Sequence, residues 1–272
     1  MTKFTLLICV YAKETPIYFA KCLDSIKNQT ALPDELIIVK DGPLTVELEN
    51  VLQGIEFPFE LKIISLPENV TLGPARAEGI KAAAYEWVAI MDSDDICRPD
   101  RFEKQLEMIE SDPKLSLIGG QIAEFTDRLE NVKATRTVPV DHDKIIEFAK
   151  RRNPFNHMTV MLKREQVLKA GNYRYFPWFE DYDLWTRMIK NGAVCANHPD
   201  ILVDVRTSAD TYGRRRGMAY IRSEWRMQKQ LKELGMTNRA EFLRNAALRI
   251  PVRLLPQKAL AAVYNRHVRK NE

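Results

Sequence analysis

Apolar residues along this chain fall into two alternating patterns. Phe4–Val10, Glu35–Lys40, Leu61–Leu66 and Trp87–Met91 are short runs rich in Ile, Val and Leu, bounded by polar or turn residues, and such runs predict strands, buried on both faces where the run is unbroken. Between them the spacing becomes helical. Phe19, Cys22, Leu23 and Ile26 fall at i, i+3, i+4 and i+7, while Pro74–Ala84 opens with a proline at a first helical position and continues through an Ala-rich run. Strands and helices in alternation predict a parallel sheet with right-handed crossovers, an α/β fold.

The later pattern predicts a helix over Pro99–Ser111, strands at Leu115–Gly120, Gln121–Thr126 and Thr135–Val138, a helix over Asp143–Arg152, a strand at Met158–Leu162 and a helix over Lys163–Ala170 stopped by Gly171. Two halves around one sheet are expected, a nucleotide-binding half over about 1–98 and a substrate half over 99–206. Residues 207–272 form a tail. In it, Tyr220, Met227, Leu231 and Leu234 make a stripe expected to pack on the body. In Gln257–Lys270, Leu260, Val263 and Tyr264 share one face and Lys258, Arg266 and Arg269 the other, which suits either docking on the domain or lying on an anionic membrane surface.

Composition narrows the class. With 272 residues, 45% hydrophobic and 29% charged, the chain suits one large α/β domain with an appended segment. No apolar stretch approaches the roughly 18 residues that cross a bilayer, and Phe4–Val10 lacks a cleavage region, so it reads as a first strand and not a signal peptide. Cys9, Cys22, Cys97 and Cys195 show neither pairing nor metal-ligand spacing, which points to reduced, buried thiols and a cytoplasmic setting. Charge is uneven. Residues 1–205 carry 25 basic and 32 acidic side chains, and residues 206–272 carry 16 and 5: an acidic body with a basic tail.

The chemistry concentrates at strand ends. Asp92-Ser93-Asp94-Asp95 follows the fourth strand directly, at the carboxyl edge where open α/β sheets bind ligands, and its oxygens suit Mg2+ or Mn2+ carrying a diphosphate. The same residues also suit a turn with a cap for the following helix. Asp41-Gly42 ends the second strand, where it serves either a nucleobase or ribose, or only a turn. Thr71-Leu-Gly-Pro-Ala-Arg76 leads into a helix; Gly73 permits close approach and Arg76 meets a phosphate or a carboxylate, unless they are a packing glycine and a surface arginine. In Phe179-Glu-Asp-Tyr-Asp-Leu-Trp185, helical spacing sets Asp181 on the face of Leu184, Trp185 and Met188, at the mouth of a core-facing stripe suited to a general base or to dipole compensation. Asp183 and Arg187 read as an exposed ion pair. Arg214, Arg215 and Arg216, flanked by glycines, suit diphosphate or acceptor contacts, or a plain basic loop. His157 and His198 are candidate metal ligands, though lone histidines are more often structural.

Taken in order, Leu6–Tyr11, Ile38–Gly42, Asn69–Arg76, Met91–Asp95 and Phe179–Trp185 resemble glycosyltransferase family 2, over about residues 4–206, and the tail is similar to that of bacterial enzymes building O-antigen and capsular polysaccharides. The resemblance implies the GT-A fold, with a Rossmann-like, mostly parallel sheet flanked by helices. It implies that Val10, Tyr11, Asp41, Arg76, Asp92 and Ser93 bind the nucleotide-sugar, with Asp41 at the base. Asp92 and Asp94 then form the Asp-x-Asp element, Asp94 the more direct ligand of Mn2+ or Mg2+, and Asp181 is the catalytic base of a single inverting displacement. Glu180 and Arg214–Arg216 contact the diphosphate or the acceptor. Many relatives carry a metal-binding His after the strand matching Ile201–Arg206; here Arg206 is followed by Thr-Ser-Ala-Asp210, leaving Asp210, His157 or water as third ligand. The Gln-x-x-Arg-Trp signature of processive synthases is absent, implying one sugar per encounter. The expected partners are a nucleotide-sugar, UDP-linked, a polyprenyl-diphosphate-linked glycan and an anionic membrane surface on the cytoplasmic side, with no nucleic acid. Two alternatives stay open: a sugar nucleotidyltransferase, which should carry a glycine-rich phosphate loop where Tyr11–Pro16 has no glycine, and a non-catalytic basic membrane-binding protein. A dehydrogenase is disfavoured, because no Gly-x-Gly-x-x-Gly follows the first strand.

Overall fold

The computed structural model describes residues 2–126, 129, 131–207 and 217–254. The first half runs β1 (Phe4–Val10), α1 (Pro16–Lys27), β2 (Glu35–Lys40), α2 (Val46–Gln53), β3 (Glu60–Ser65), α3 (Leu72–Ala82) and β4 (Trp87–Asp92). Then come β5 (Ile96–Cys97), α4 (Arg101–Ser111), β6 (Leu115–Phe125), β7 (Val132–Arg136), α5 (His142–Ala149), β8 (Met161–Lys163), α6 (Arg164–Lys169), α7 (Glu180–Lys190), β9 (Val194–Arg206), α8 (Met218–Glu233) and α9 (Arg239–Arg249). Among the described residues the strands form one nine-stranded sheet in the order β3-β2-β1-β4-β8-β6-β9-β5, with β7 on β6.

The apolar runs produce this centre because both their faces are covered. Leu6, Ile8 and Val10 of β1 pack with Phe19, Cys22, Leu23 and Ile26 of α1, while Leu7 and Cys9 pack with Ala75, Ala77 and Ile80 of α3 on the other face. β1, β2, β3 and β4 are mutually parallel, and Cys9 lies opposite both Val39 and Asp92. The carboxyl ends of β1, β2 and β4 therefore open on one edge. Beyond β4 the sheet becomes mixed: β8 is antiparallel to β4 and β6, β6 and β9 are parallel, and β5 and β7 join antiparallel. The whole is the mixed α/β, largely parallel sheet expected of a GT-A fold.

Several boundaries differ from the sequence reading. The two expected strands Leu115–Gly120 and Gln121–Thr126 are one continuous β6. Its glycines admit neighbours, since a Cβ at Gly119 would lie 2.5 Å from Asn197 Oδ1 and one at Gly120 would lie 2.4 Å from Leu202 Cδ1. The predicted strand Met158–Leu162 is a 3-10 turn, His157–Thr159, followed by β8. Thr135–Val138 is displaced to Val132–Arg136, β9 begins seven residues before Ile201, and α2 and β5 went unpredicted. The first part of β9 escaped notice because His198-Pro199-Asp200 interrupts its apolar pattern. All four cysteines are buried and free, and among the described residues no helix is long and apolar enough to cross a membrane.

A third apolar cluster joins Phe176, Phe179 and Tyr182 to Tyr220, Met227 and Leu231 of α8, so the expected tail stripe does pack on the body. Polar contacts fix the same junction. Asp183 is fully buried, not exposed as its i+4 pairing with Arg187 suggested. It accepts hydrogen bonds from Arg174 Nε at 2.8 Å and Arg187 Nη2 at 2.6 Å, and Arg174 reaches on to Gln230 of α8 at 2.6 Å. Burial of a carboxylate is tolerated here because two guanidinium groups and their hydrogen bonds replace its water. Arg214–Arg216, Asp210 and the segment 257–270 lie outside the described residues.

Candidate active site

The sheet edge gathers residues that the sequence scatters from Val10 to Arg206. Val10 closes β1, buried, and its carbonyl accepts from the Asp41 N–H at 2.8 Å; Tyr11 beside it is exposed. Asp41 follows β2. Its Oδ1 accepts from the Val70 N–H at 2.7 Å and its Oδ2 from Asn69 Nδ2 at 2.9 Å, so it pins the segment entering α3. Burial raises its pKa against the pull of the Val70 and Thr71 N–H groups. The pinned segment ends at Thr71, which stands at φ 74°, a left-handed conformation that costs a β-branched residue. Gly73 is a packing glycine: a Cβ there would lie 2.5 Å from the Arg174 carbonyl oxygen and 3.2 Å from Glu180 Cβ. This glycine therefore lets α3 and the start of α7 meet.

Arg76 stands at that meeting point. It is a buried arginine, not a surface one, and its Nη2 donates to Asp92 Oδ1 at 2.7 Å while Nη1 lies 3.6 Å from Glu180 Oε1. The carboxylate ending β4 and the one opening α7 thus share one cation. His157 faces the same Asp92 oxygen, with Nδ1 at 3.8 Å, and its Nε2 lies 3.1 Å from the Tyr173 hydroxyl. Burial, then the charges of Arg76 and Arg101, hold this imidazole neutral, well below the usual histidine pKa. It stands over Trp185, ring centroids 5.9 Å apart, as part of the packing behind Asp92. His198 is remote from this group, its Nδ1 accepting from the Asp200 N–H at 3.1 Å.

The Asp92–Asp95 segment does not cap α4, whose N-cap position is held by Asp100 without a side-chain cap bond. Asp92 bonds to Arg76, Ser93 Oγ donates to Glu14, and Asp95 Oδ1 accepts from the Arg206 N–H at 2.8 Å. Asp94 is pushed up to about 7, first by burial and then by the carboxylates of Asp92 and Glu14, with the Arg206 charge opposing. Arg206 Nε also donates to the Asp94 carbonyl at 3.3 Å, and its guanidinium lies 3.8 Å from the Tyr18 ring centroid. Crowded oxygens short of positive charge fit a hard divalent cation. Among the described residues, however, no group of three or more His, Cys, Asp or Glu side chains is arranged to hold a metal. The arrangement suits a cation held by one or two carboxylates and completed by phosphate and water, the usual manner for Mg2+.

Asp181 sits in the first turn of α7. Its Oδ1 accepts from the Tyr182 N–H and its Oδ2 from Asn153 Nδ2, both at 2.6 Å. Burial raises its pKa, while the Tyr182 N–H, Arg76, Asn153 and Arg136 work the other way. Glu180 rises to about 7, through burial and then the charge of Asp181, with Arg76 partly offsetting them. The arrangement is a half-sheltered carboxylate of raised basicity, braced from both oxygens, beside the Arg-linked sheet edge. Sequence reasoning missed Asn153, Glu14 and Arg206 as parts of this assembly. Each comes from a distant element without motif or period, so only the fold reveals them.

The family model for Glycosyl transferase family 2 matches residues 5–171. An uncharacterised glycosyltransferase of Haemophilus influenzae is 41% identical over 98% of this chain and 100% of its own length. The amylovoran biosynthesis glycosyltransferase AmsE of Erwinia amylovora is 36% identical over 97% and 98%. The UDP-Gal:alpha-D-GlcNAc-diphosphoundecaprenol beta-1,3-galactosyltransferase of Escherichia coli is 32% identical over 98% and 97%. Among solved structures, S. aureus TarS 1–349 in complex with UDP-GlcNAc superposes with TM-score 0.68 at 14% identity, covering 93% of this chain and 72% of that one. The mannosyltransferase PcManGT from Pyrobaculum calidifontis, in complex with GDP-Man and Mn2+, gives 0.66 at 16% identity, covering 97% and 75%.

Proposed function

The chain belongs to glycosyltransferase family 2, and from that premise we propose that it inverts configuration while moving one sugar from a UDP-linked donor to a polyprenyl-diphosphate-linked glycan. The product feeds bacterial surface-polysaccharide synthesis, and the chain works as a peripheral protein on the cytoplasmic face of the membrane. Residues 1–206 form the transferase domain in this reading, with the donor half over about 1–98, the acceptor half over 99–206 and residues 207–272 as the basic extension. Family membership weighs against the nucleotidyltransferase and the non-catalytic alternatives.

The observation that carries the reading is Arg76, buried with Asp92 at 2.7 Å and Glu180 at 3.6 Å. One guanidinium ties the donor edge to the helix that bears the base, so the two reacting groups are held in one frame. Asp181 takes the proton from the acceptor hydroxyl as its oxygen attacks the anomeric carbon opposite the diphosphate. The new glycosidic bond forms as the sugar–phosphate bond breaks, and the configuration inverts. Asn153 and the Tyr182 N–H fix the carboxylate for this transfer, and burial raises its basicity toward working pH. Val10, Tyr11, Asp41 and Ser93 line the nucleotide side. A divalent cation held at Asp94 and Asp92 would neutralise charge on the departing diphosphate, and in this reading diphosphate or acceptor contacts fall to Glu180 and Arg214–Arg216. The undecaprenol-linked substrate in the name of the E. coli relative supports the acceptor class; the UDP-GlcNAc in one structural neighbour and the Mn2+ in the other support the donor class and the metal.

The test incubates the purified chain with a panel of UDP-, GDP- and dTDP-sugars, Mn2+ and an undecaprenyl-diphosphate-linked N-acetylhexosamine. A single added sugar with inverted anomeric configuration is expected from a UDP donor. Retention of configuration, or transfer unaffected by Asp181→Asn, overturns the mechanism.

A further inference from the structure

We propose that the α8–α9 hairpin is the surface on which this chain sits on an anionic bilayer, an inference that rests on the lipid-linked acceptor reading above. The two helices are joined through Gln228 and Asn245, through Glu224 and Arg249, and through the rings of Trp225 and Phe242, whose centroids lie 5.0 Å apart.

A helix docked on a soluble body normally buries its leucines and exposes its amides. α9 does the reverse. Its buried residues are Asn245 and Ala246, and Asn245 Nδ2 donates to the Lys150 carbonyl at 2.8 Å. On the opposite face Ala240, Leu243, Arg244, Ala247 and Leu248 are exposed and share one arc by helical spacing. Leu243 is 63% exposed, Leu248 65%, and Leu254, in the turn that follows, 66%. Beside this row, Met218, Arg222, Trp225, Lys229 and Lys232 share the outward face of α8, all exposed. Among the described residues of the two helices, the exposed cations are Arg222, Arg226, Lys229, Lys232, Arg239 and Arg244; the exposed acid, Glu233, lies 3.5 Å from Lys229.

An apolar row with a tryptophan, bordered by Lys and Arg, matches the chemistry of a bilayer interface: leucines enter the acyl boundary, the indole sits at headgroup level, and cations meet phosphates. A protein partner is the weaker fit. Protein interfaces are depleted of lysine, whereas here lysines and arginines border the apolar row along its length. The basic character is local too, because residues 1–205 carry more acids than bases, 32 against 25.

The surface is also wired to the candidate base. Arg249 Nη1 donates to the Arg151 carbonyl at 2.8 Å and Asn245 to that of Lys150, two and three residues before Asn153, which holds Asp181. α8 packs on Phe179 and Tyr182, which flank Asp181 in the chain. A bilayer engaged by this hairpin thus brings its lipid-linked diphosphates to the acceptor side of the site.

The test measures co-sedimentation of the full chain with phosphatidylglycerol/phosphatidylcholine vesicles, comparing wild type with Leu243→Glu/Leu248→Glu. Both leucines are exposed, and equal melting temperatures check that the variant folds. Vesicle partition weaker by roughly 30-fold or more, with unchanged turnover on a short-chain soluble acceptor, is expected. Trp225 should be quenched by brominated acyl chains in wild type only, read against a Trp225→Phe control. Equal binding by both proteins overturns the hairpin assignment, moves the contact to the basic segment 257–270 and leaves the membrane reading standing. Absence of wild-type binding at low salt overturns both. Loss of self-association instead of vesicle binding assigns the row to a second copy of the chain and overturns the proposal.

Discussion

Glu180→Gln should stabilise the fold in alkali more than in acid. Burial, then the charge of Asp181, moves Glu180 from its ordinary value near 4.5 to about 7. Below pH 4.5 the side chain is protonated in both folded and unfolded chains and its contribution is fully present. As pH rises toward 7 the unfolded chain ionises while the folded one must hold the proton, and stability falls by about 1.4 kcal/mol per pH unit. Above pH 7 the loss levels at about 3 kcal/mol, an upper bound because the interior relaxes around a charge. Glutamine carries no charge at any pH and keeps an oxygen for Arg76. The variant's advantage should therefore grow by about 2 kcal/mol between pH 5.5 and 8.5, or about 4–8 °C in melting temperature for a chain of this size. The assay is thermal unfolding of both proteins at the two pH values with a chelator present. A melting-temperature difference that is the same at both, or a variant less stable at pH 8.5, would refute the claim that Glu180 is held in an unfavourable, like-charged setting.

Asp181→Asn should lower turnover by roughly 10²–10⁴-fold while nucleotide still raises the melting temperature, as seen by thermal shift with UDP. The acid limb of kcat/KM should report the raised pKa of Asp181, with activity lost as pH falls through it. Asn153→Ala removes a hydrogen bond to the ionised form and should move that limb to higher pH; an unmoved limb assigns the titration elsewhere. Asp94→Ala should abolish the extra thermal shift that Mn2+ adds to UDP, and an intact Mn2+ effect would place the cation elsewhere. Asp183→Ala strands the largely buried Arg187 guanidinium and should cost about 3 kcal/mol in urea unfolding, more than the exposed ion pair its spacing suggested.

What could be read in the chain follows from the range of each interaction. β1 and β2 match the sequence reading to the residue and β4 within one, because a doubly covered strand must be apolar throughout and its ends are marked by polar residues. Asp92, Asp94 and Asp41 were legible for the same reason: a carboxylate right after such a run must sit at the sheet edge. The second half resisted. Its sheet is mixed and its strands are interrupted, as at His198–Asp200 in β9, so no period survives to be counted. Asp183 shows the limit most clearly. Its Arg187 partner is visible at i+4, but Arg174 and Gln230, which make burial possible, lie 9 and 47 residues away, and nothing local distinguishes a solvated pair from a sealed one.

The first turn of α7 also bears on which of its three acids suits the base of the proposed mechanism. Asp183 has each oxygen on a guanidinium, Oδ1 with Arg174 and Oδ2 with Arg187, and its side chain is sealed from solvent, so no acceptor hydroxyl can reach it. Glu180 shares Arg76 with Asp92 and is tied to that frame. Asp181 takes its hydrogen bonds from two neutral donors, a backbone N–H and an amide, which orient the carboxylate without cancelling its charge. Orientation by dipoles and a pKa raised by burial are together what a general base requires. The neighbours' ion pairs spend their cations on anchoring α7 to α3 and α8, and the carboxylate left between them is held still while remaining basic.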